Sequence, residues 1–389
     1  MQTSPWKLSK IVQMALLAWL AIPIAVSLKA DDPSANPKAK PFDHGDDVNE
    51  ALFTYKKDVT VPLHPPERPL AKFELKDKMY HGVLLYTDNQ VAFEKFYKQY
   101  VDLVGKKPSM IGTFHARWSK GVEQPEELFL QRLKTIDTVP NVLPFMKIYT
   151  CDWVPSGPFM KADDILAGKD DAYFIHMAQM SKEFGKPFVL SINHEMNGDW
   201  FQYSEIFKPR NFGPTDWTAE KFVKVWQRIY KIFQDNGAAN VAFAWCPGVQ
   251  GRAFDVKDAQ GKVIKHYDAI NGYKAYYPGD AYVDWVGGSF YNDLNHYAID
   301  NLAAAYPNKP LILAEWGTEP QRGQWYSPKP YPGDAQHMQM TFDFCTQRYP
   351  NMKAMTYFYW GKKVNIERVP EQVDVYRKGI ANPIFKSND

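Results

Sequence analysis

The sequence predicts an α/β fold, a (β/α)8 barrel in a single catalytic domain, on two observations. Eight short apolar runs of strand length recur along its 389 residues, and segments of helical periodicity separate most of them. Parallel βα units in that number close most naturally into a barrel. An open doubly wound sheet is the competitor. It usually carries a glycine-rich phosphate turn after its first strand, and Thr87-Asp88-Asn89 stands at that place instead.

Lys78–Tyr86 reads as the first strand, and Thr87 with Gln90 makes a candidate capping box for a helix with Phe93, Phe96, Tyr97, Tyr100 and Val101 on one face. Met110–His115 is the second strand; Pro125 then opens a helix over Glu126–Lys134. Val142–Thr150 is the third strand. The helix Ala172–Phe184 stops at Gly185, and Phe188–Asn193 is the fourth strand. Ala219–Gln234 has the clearest helical pattern, with Phe222, Val223, Trp226, Ile229, Tyr230 and Phe233 at three- and four-residue steps and Gly237 as the stop. Val241–Cys246 and Val283–Tyr291 are strands five and six. A short helix near Asn301–Tyr306, strand seven at Leu311–Glu315, a helix over Ala335–Arg348 and strand eight at Ala354–Trp360 complete the pattern.

Composition sets limits. Hydrophobic residues are 45% and charged residues 23%, an ordinary globular balance. A net charge of +2 leaves no basic footprint for nucleic acid, and nothing in the sequence implies a protein partner. Aromatics reach 15%, enough to fill a large core or to line a surface that stacks on flat faces such as sugar rings. Cys151, Cys246 and Cys345 are odd in number, allow at most one disulfide, fit no zinc spacing and are expected as buried free thiols. Lys7 and Lys10 precede the apolar run Ile11–Leu28, with Ala30 before a polar stretch. Residues 1–30 are therefore expected to be a secretory signal, and the mature protein to be extracellular or periplasmic. An uncleaved membrane anchor is the alternative. Residues 31–70 are expected as an extended segment, and 71–389 as the barrel domain.

In a parallel barrel the chemistry sits at the C-terminal strand ends. Strand four runs into His194-Glu195-Met196-Asn197-Gly198-Asp199-Trp200, and strand seven ends in Glu315-Trp316-Gly317. Two glutamates at facing strand ends fit acid/base and nucleophile chemistry on a glycosidic bond. The His-Glu pair is no zincin motif, because Gly198 stands where His-Glu-x-x-His needs its second histidine. No metal or cofactor is implied. Aromatic residues crowd the same ends: Trp153, Trp200, Trp245, Tyr291 and Trp360 are candidate sugar contacts.

The segments 194–200 and Ala314-Glu315-Trp316-Gly317 resemble the two signature segments of glycoside hydrolase family 26, and the resemblance runs from about Met79 to Trp360. That family comprises mainly β-mannanases, with some mixed-linkage β-glucanases and β-1,3-xylanases, and hydrolyses β-glycosides with retention on a (β/α)8 barrel. The resemblance implies Glu195 as acid/base, Glu315 as nucleophile, His194 beside the acid/base, Trp200 as a sugar-stacking residue, Tyr291 as hydrogen-bond partner of the nucleophile and Trp360 as a platform. Three positions depart from the family pattern. Ser191 replaces an arginine, Ser289 replaces an aspartate, and Cys246-Pro247-Gly248 replaces Ser-Pro-Asn. The expected function is a secreted retaining endo-β-glycosidase acting on β-1,4-mannan. The alternatives are another β-linked polymer (glucan, xylan or a bacterial exopolysaccharide) or a barrel that binds polysaccharide without cleaving it.

Overall fold

Eight parallel strands close on themselves in chain order: β1 (Tyr80–Leu84), β2 (Met110–Ala116), β3 (Leu143–Tyr149), β4 (Phe188–Ile192), β5 (Val241–Trp245), β6 (Trp285–Tyr291), β7 (Leu311–Gly317) and β8 (Met352–Phe358). Pairing of β1 with both β2 and β8 seals the ring. The computed structural model describes residues 62–154, 156–207, 215–249, 254–257, 260–267, 272–291, 297–318, 334–359, 366–368 and 370–388. All of them belong to the unit Ala51–Asp389. The expected signal segment and Trp360 lie outside the described residues.

Helices cover the ring: α1 (Gln90–Val104), α2 (Leu128–Asp137), α3 (Ala162–Leu166), α4 (Asp171–Phe184), α5 (Ala219–Asp235), α6 (Tyr297–Ala305), α7 (Asp334–Asp343) and α8 (Pro370–Ile380). No helix among the described residues is long and apolar enough to cross a membrane. Between β5 and β6 the described residues form a hairpin (Phe254–Lys257 with Val263–Tyr267) and two 3-10 turns instead of an α-helix.

Strand alternation divides the core in two. Tyr80, Met110, Leu143, Phe145, Val189, Ala242, Ala244, Trp285, Ile312 and Ala354 come from all eight strands and fill the barrel interior. The intervening residues face the helices. On α5, for example, Phe222, Val225, Trp226, Ile229 and Phe233 are buried, and each such side chain contributes about 1.5–3 kcal/mol. The Thr218 hydroxyl caps that helix by accepting from Lys221 N at 3.2 Å. Residues 72–75 close the barrel floor. Phe73 and Leu75 pack on the interior cluster, and the Trp285 indole donates to Lys72 O at 2.8 Å.

Several elements differ from expectation. The capping box at Thr87 and Gln90 does not form. Thr87 is buried and bonds Thr113 Oγ1 at 2.6 Å, while Asn89 Oδ1 caps α1 by accepting from Ala92 N at 3.1 Å. Thr87 sits too deep in the core to face the helix N-terminus. Phe96 is exposed, because the buried stripe of α1 runs through Phe93, Tyr100 and Val104. The helical run expected over Ala335–Arg348 ends as α-helix at Asp343 and continues as a π-turn over Phe344–Arg348. Helices α3 and α8 are too short or too polar to stand out in the sequence pattern. All three cysteines are buried free thiols, as expected.

Asn89→Ala should lower the unfolding free energy by about 1 kcal/mol. Gln90→Ala, which removes only an exposed side-chain bond to Glu94, should cost less than half of that. Denaturant melts of the two variants beside the parent check the assignment of the cap.

Candidate active site

Glu315 reaches the barrel mouth through an irregularity in β7. Ile312 and Ala314 face the interior, so strict alternation would turn Glu315 outward. The register against β6 jumps from Gly288–Leu313 to Ser289–Glu315, which leaves Ala314 as the extra residue. That bulge turns Glu315 inward and returns Trp316 to the helix side, where it packs on Phe342, Tyr357 and Tyr376.

Glu195 stands on a tight turn after β4. Asn193 and Glu195 have φ values of 48° and 54°, in the left-handed region that side chains other than glycine seldom occupy. Each such residue costs of order 1–3 kcal/mol unless its surroundings enforce it. They do so here. Asn193 Oδ1 accepts from Thr150 N at 2.8 Å, and Glu195 N donates to Cys246 O at 2.8 Å. The turn then folds back so that Trp200 Nε1 donates to Glu195 Oε2 at 2.9 Å.

The two glutamates meet. A side-chain oxygen of Glu195, one of Glu315 and a ring nitrogen of His194 all lie within 4.8 Å of one another. Glu315 is buried, and its two oxygens have different partners. Oε1 takes the Lys147 ammonium at 2.7 Å and His194 Nε2 at 3.0 Å; Oε2 takes the Tyr291 hydroxyl at 3.0 Å. Tyr203 donates to His194 O at 2.8 Å and so fixes the histidine's backbone. Burial alone would raise the Glu315 carboxyl. The Lys147 ammonium and His194 outweigh it and hold the group well below the usual carboxylate range. Its contribution to stability is therefore present above the unfolded carboxylate value, and is lost only as pH falls through the depressed one. Burial, and after it the negative charges of Glu315 and Glu195, pushes Tyr291 far up, so it stays a neutral donor. His194, Glu195 and Glu315 are the one group among the described residues with the spacing of a cation site. The Lys147 ammonium already neutralises Glu315 there, so the donor set is that of an ion-paired carboxylate and not of a metal centre.

An aromatic wall flanks the pair. The Tyr149 ring lies 4.3 Å from Trp153 and 5.0 Å from His194, with Phe201 beside all three. Trp153 and Trp200 remain 43% and 38% exposed, which leaves their faces open at the mouth. Of the residues singled out in the sequence, Glu195, Glu315, His194, Tyr291, Trp200 and Trp153 are thus brought to one place. Trp245 is not. It is fully buried among Tyr273, Tyr277 and Tyr306, because its neighbours Ala244 and Cys246 take the inward positions and alternation turns Trp245 to the helix side. It is no sugar contact. Lys147 is the residue of the site that the sequence reading misses. Its signal is there, as the single charge in the apolar run Leu143–Tyr149 at a position of inward parity.

No protein-family model matches the chain. Among curated proteins, Endoglucanase H of Acetivibrio thermocellus is 29% identical over 232 residues, which take in 56% of this chain but only 23% of that protein's length. Solved structures share the fold. GH26A of Muricauda sp. superposes with a TM-score of 0.52 at 17% identity, covering 88% of this chain and 96% of its own. The Bacillus subtilis mannanase man26 has a TM-score of 0.52 at 19% identity, covering 78% and 86%. A Cellulomonas fimi endo-beta-1,4-mannanase double mutant has a TM-score of 0.56 at 16% identity, covering 80% and 73%. At these identities the likeness is one of fold, and it spans most of the chain.

The indole of Trp200 lies against Gly198, and a Cβ at that position would run into its six-membered ring. Gly198→Ala should therefore displace Trp200 and break its bond to Glu195, leaving Glu315 untouched. The expected result is a red shift in tryptophan emission and a thermal midpoint within a few degrees of the parent. Unchanged emission would mean that the indole is held elsewhere.

Proposed function

We propose that this protein is a retaining endo-β-glycosidase of polysaccharides, with Glu315 as nucleophile and Glu195 as acid/base. The observation that carries this is the facing of the two carboxylates, with oxygens inside 4.8 Å. Retaining pairs lie about 5–5.5 Å apart, and inverting pairs about 6.5–9.5 Å. The surroundings support this division of roles. Glu315 has a cation and two further donors and stays ionised, as a nucleophile must. Glu195 sits at the mouth, where a leaving oxygen would arrive. In the first step a Glu315 oxygen bonds to the anomeric carbon as the glycosidic C–O bond breaks, and Glu195 gives its proton to the leaving oxygen. In the second, water attacks the glycosyl ester, Glu195 takes the proton of that water, and the Glu315 carboxylate is released.

The polymer we propose is β-1,4-mannan. The fold shared with mannanases supports it, as does the match of Glu195, Glu315, His194, Trp200 and Tyr291 to the family pattern. A β-glucan is the second reading, favoured by the similarity to an endoglucanase and by the uncharged Ser191 and Ser289. Residues 1–30 are proposed as a cleaved secretory signal, which would bring the enzyme to polymers outside the cytoplasm.

Reducing-sugar release from mannan, glucomannan, mixed-linkage β-glucan and xylan tests the substrate. Mannan should be the best of these, and release from β-glucan alone would replace the substrate while keeping the mechanism. Glu315→Ala should lose about four orders of magnitude or more on every substrate. Glu195→Ala should lose about 10²–10⁴-fold on polysaccharide, and far less on an aryl glycoside whose leaving group needs no proton. Equal losses on both substrate types would remove Glu195 from the acid role. Binding without release from any polymer would leave the non-catalytic barrel.

A further inference from the structure

We propose that Lys147 is the positioning residue that commits Glu315 to the nucleophile's role, by neutralising it from below and fixing one oxygen so that the other attacks. The inference rests on the glycosidase reading. Lys147 lies on β3, its side chain has no exposed surface, and the Phe114 and Phe145 rings flank its ammonium at 5.2 and 5.3 Å. A lysine in such a place is costly unless its charge is matched. Among the described residues it donates to Ala314 O at 2.8 Å and to Glu315 Oε1 at 2.7 Å, both in the bulged stretch of β7. It therefore holds the carboxylate and the backbone that aims it at once. Its partner in register on β4 is the small, uncharged Ser191, so this cation comes from β3 and not from β4.

The two oxygens of Glu315 are thereby made unequal. Oε1 is occupied by Lys147 and His194, whereas Oε2 has only the Tyr291 hydroxyl among the described residues. Oε2 is the oxygen free to form the glycosyl ester. The other titratable groups around Glu315 are Tyr149, His194, Glu195, Tyr203, Cys246 and Tyr291. Burial pushes the tyrosines and Cys246 upward and keeps them neutral. Of the remaining two, His194 acts with Lys147 in favouring the ionised carboxylate. Glu195 opposes ionisation of Glu315, and Lys147 outweighs it.

The test is Lys147→Met, a neutral side chain of similar length. Carbon-13 NMR of protein labelled at the glutamate carboxyl, with Glu315 assigned by its loss in Glu315→Gln, reads the charge directly. Glu315 should titrate about one pH unit or more higher in Lys147→Met than in the parent. The acid limb of kcat/KM on an activated aryl glycoside should move up with it. An unmoved Glu315 titration overturns the proposal, even if activity falls. If Lys147→Met does not fold, the double variant Lys147→Met/Glu315→Gln decides. A cooperative melt restored by the second change means that the lysine serves Glu315, and no recovery overturns the proposal. Because the NMR titration needs no turnover, the two failures are distinguishable: a chain inactive on every polymer that still shows the shift loses the glycosidase reading, while the control of the Glu315 charge by Lys147 stands.

Discussion

A carboxylate buried in an apolar barrel has to be compensated, and the top of this molecule is arranged around compensating Glu315. The partners come from three strands: Lys147 from β3, His194 from the turn after β4 and Tyr291 from β6. None of the three is near Glu315 in sequence, and only closure of the ring assembles them. Removing one member of such a buried pair typically costs about 3–5 kcal/mol, because the other is left charged and dry. The site and the closed barrel thus support each other. The ring places the donors, and the donors make a buried charge tolerable in the ring.

Reaching this arrangement takes two departures from regular geometry. In β7 the extra residue Ala314 reverses the parity of the residues after it and turns Glu315 inward. After β4 the left-handed conformations of Asn193 and Glu195 bend the chain across the mouth without a glycine at either position. Both irregularities are pinned by hydrogen bonds from other parts of the ring, through Lys147 on β3 to Ala314 O and through Cys246 O to Glu195 N. Two of the five non-glycine residues with positive φ among the described residues thus stand where the chemistry is proposed.

The barrel is legible in the sequence because its signals are local. Strand-length apolar runs and helical stripes such as that of α5 depend only on near neighbours along the chain. The strand-end position of Glu195 and Glu315 is legible for the same reason. Parity at irregular points is not. The pattern Leu311-Ile312-Leu313-Ala314 gives no sign of the bulge, so the inward turn of Glu315 emerges only in the pairing with β6. Parity also separates the tryptophans. Trp245 is inside a regular strand and alternation sends it to the core, whereas Trp153 and Trp200 lie beyond strand ends and remain open at the mouth. Lys147 escapes notice for a related reason. A lone charge in an apolar strand reads as an interruption of the strand until its partner, 168 positions away, is known.

The sequence presents the two glutamates as equivalents, each closing an apolar run with a tryptophan close behind. Their environments make them different. Glu315 is held by a cation, a histidine and a tyrosine, all of which favour its charged form. Glu195 receives a neutral indole N–H on Oε2, and among the described residues its ion-pair neighbour is His194 at 3.8 Å, a charge present only when that ring is protonated. Two carboxylates this close resist ionising together, and the one with the cation yields its proton first. In the proposed division of roles, one lysine beneath one of two similar acids sets them apart, and neither signature segment contains that lysine.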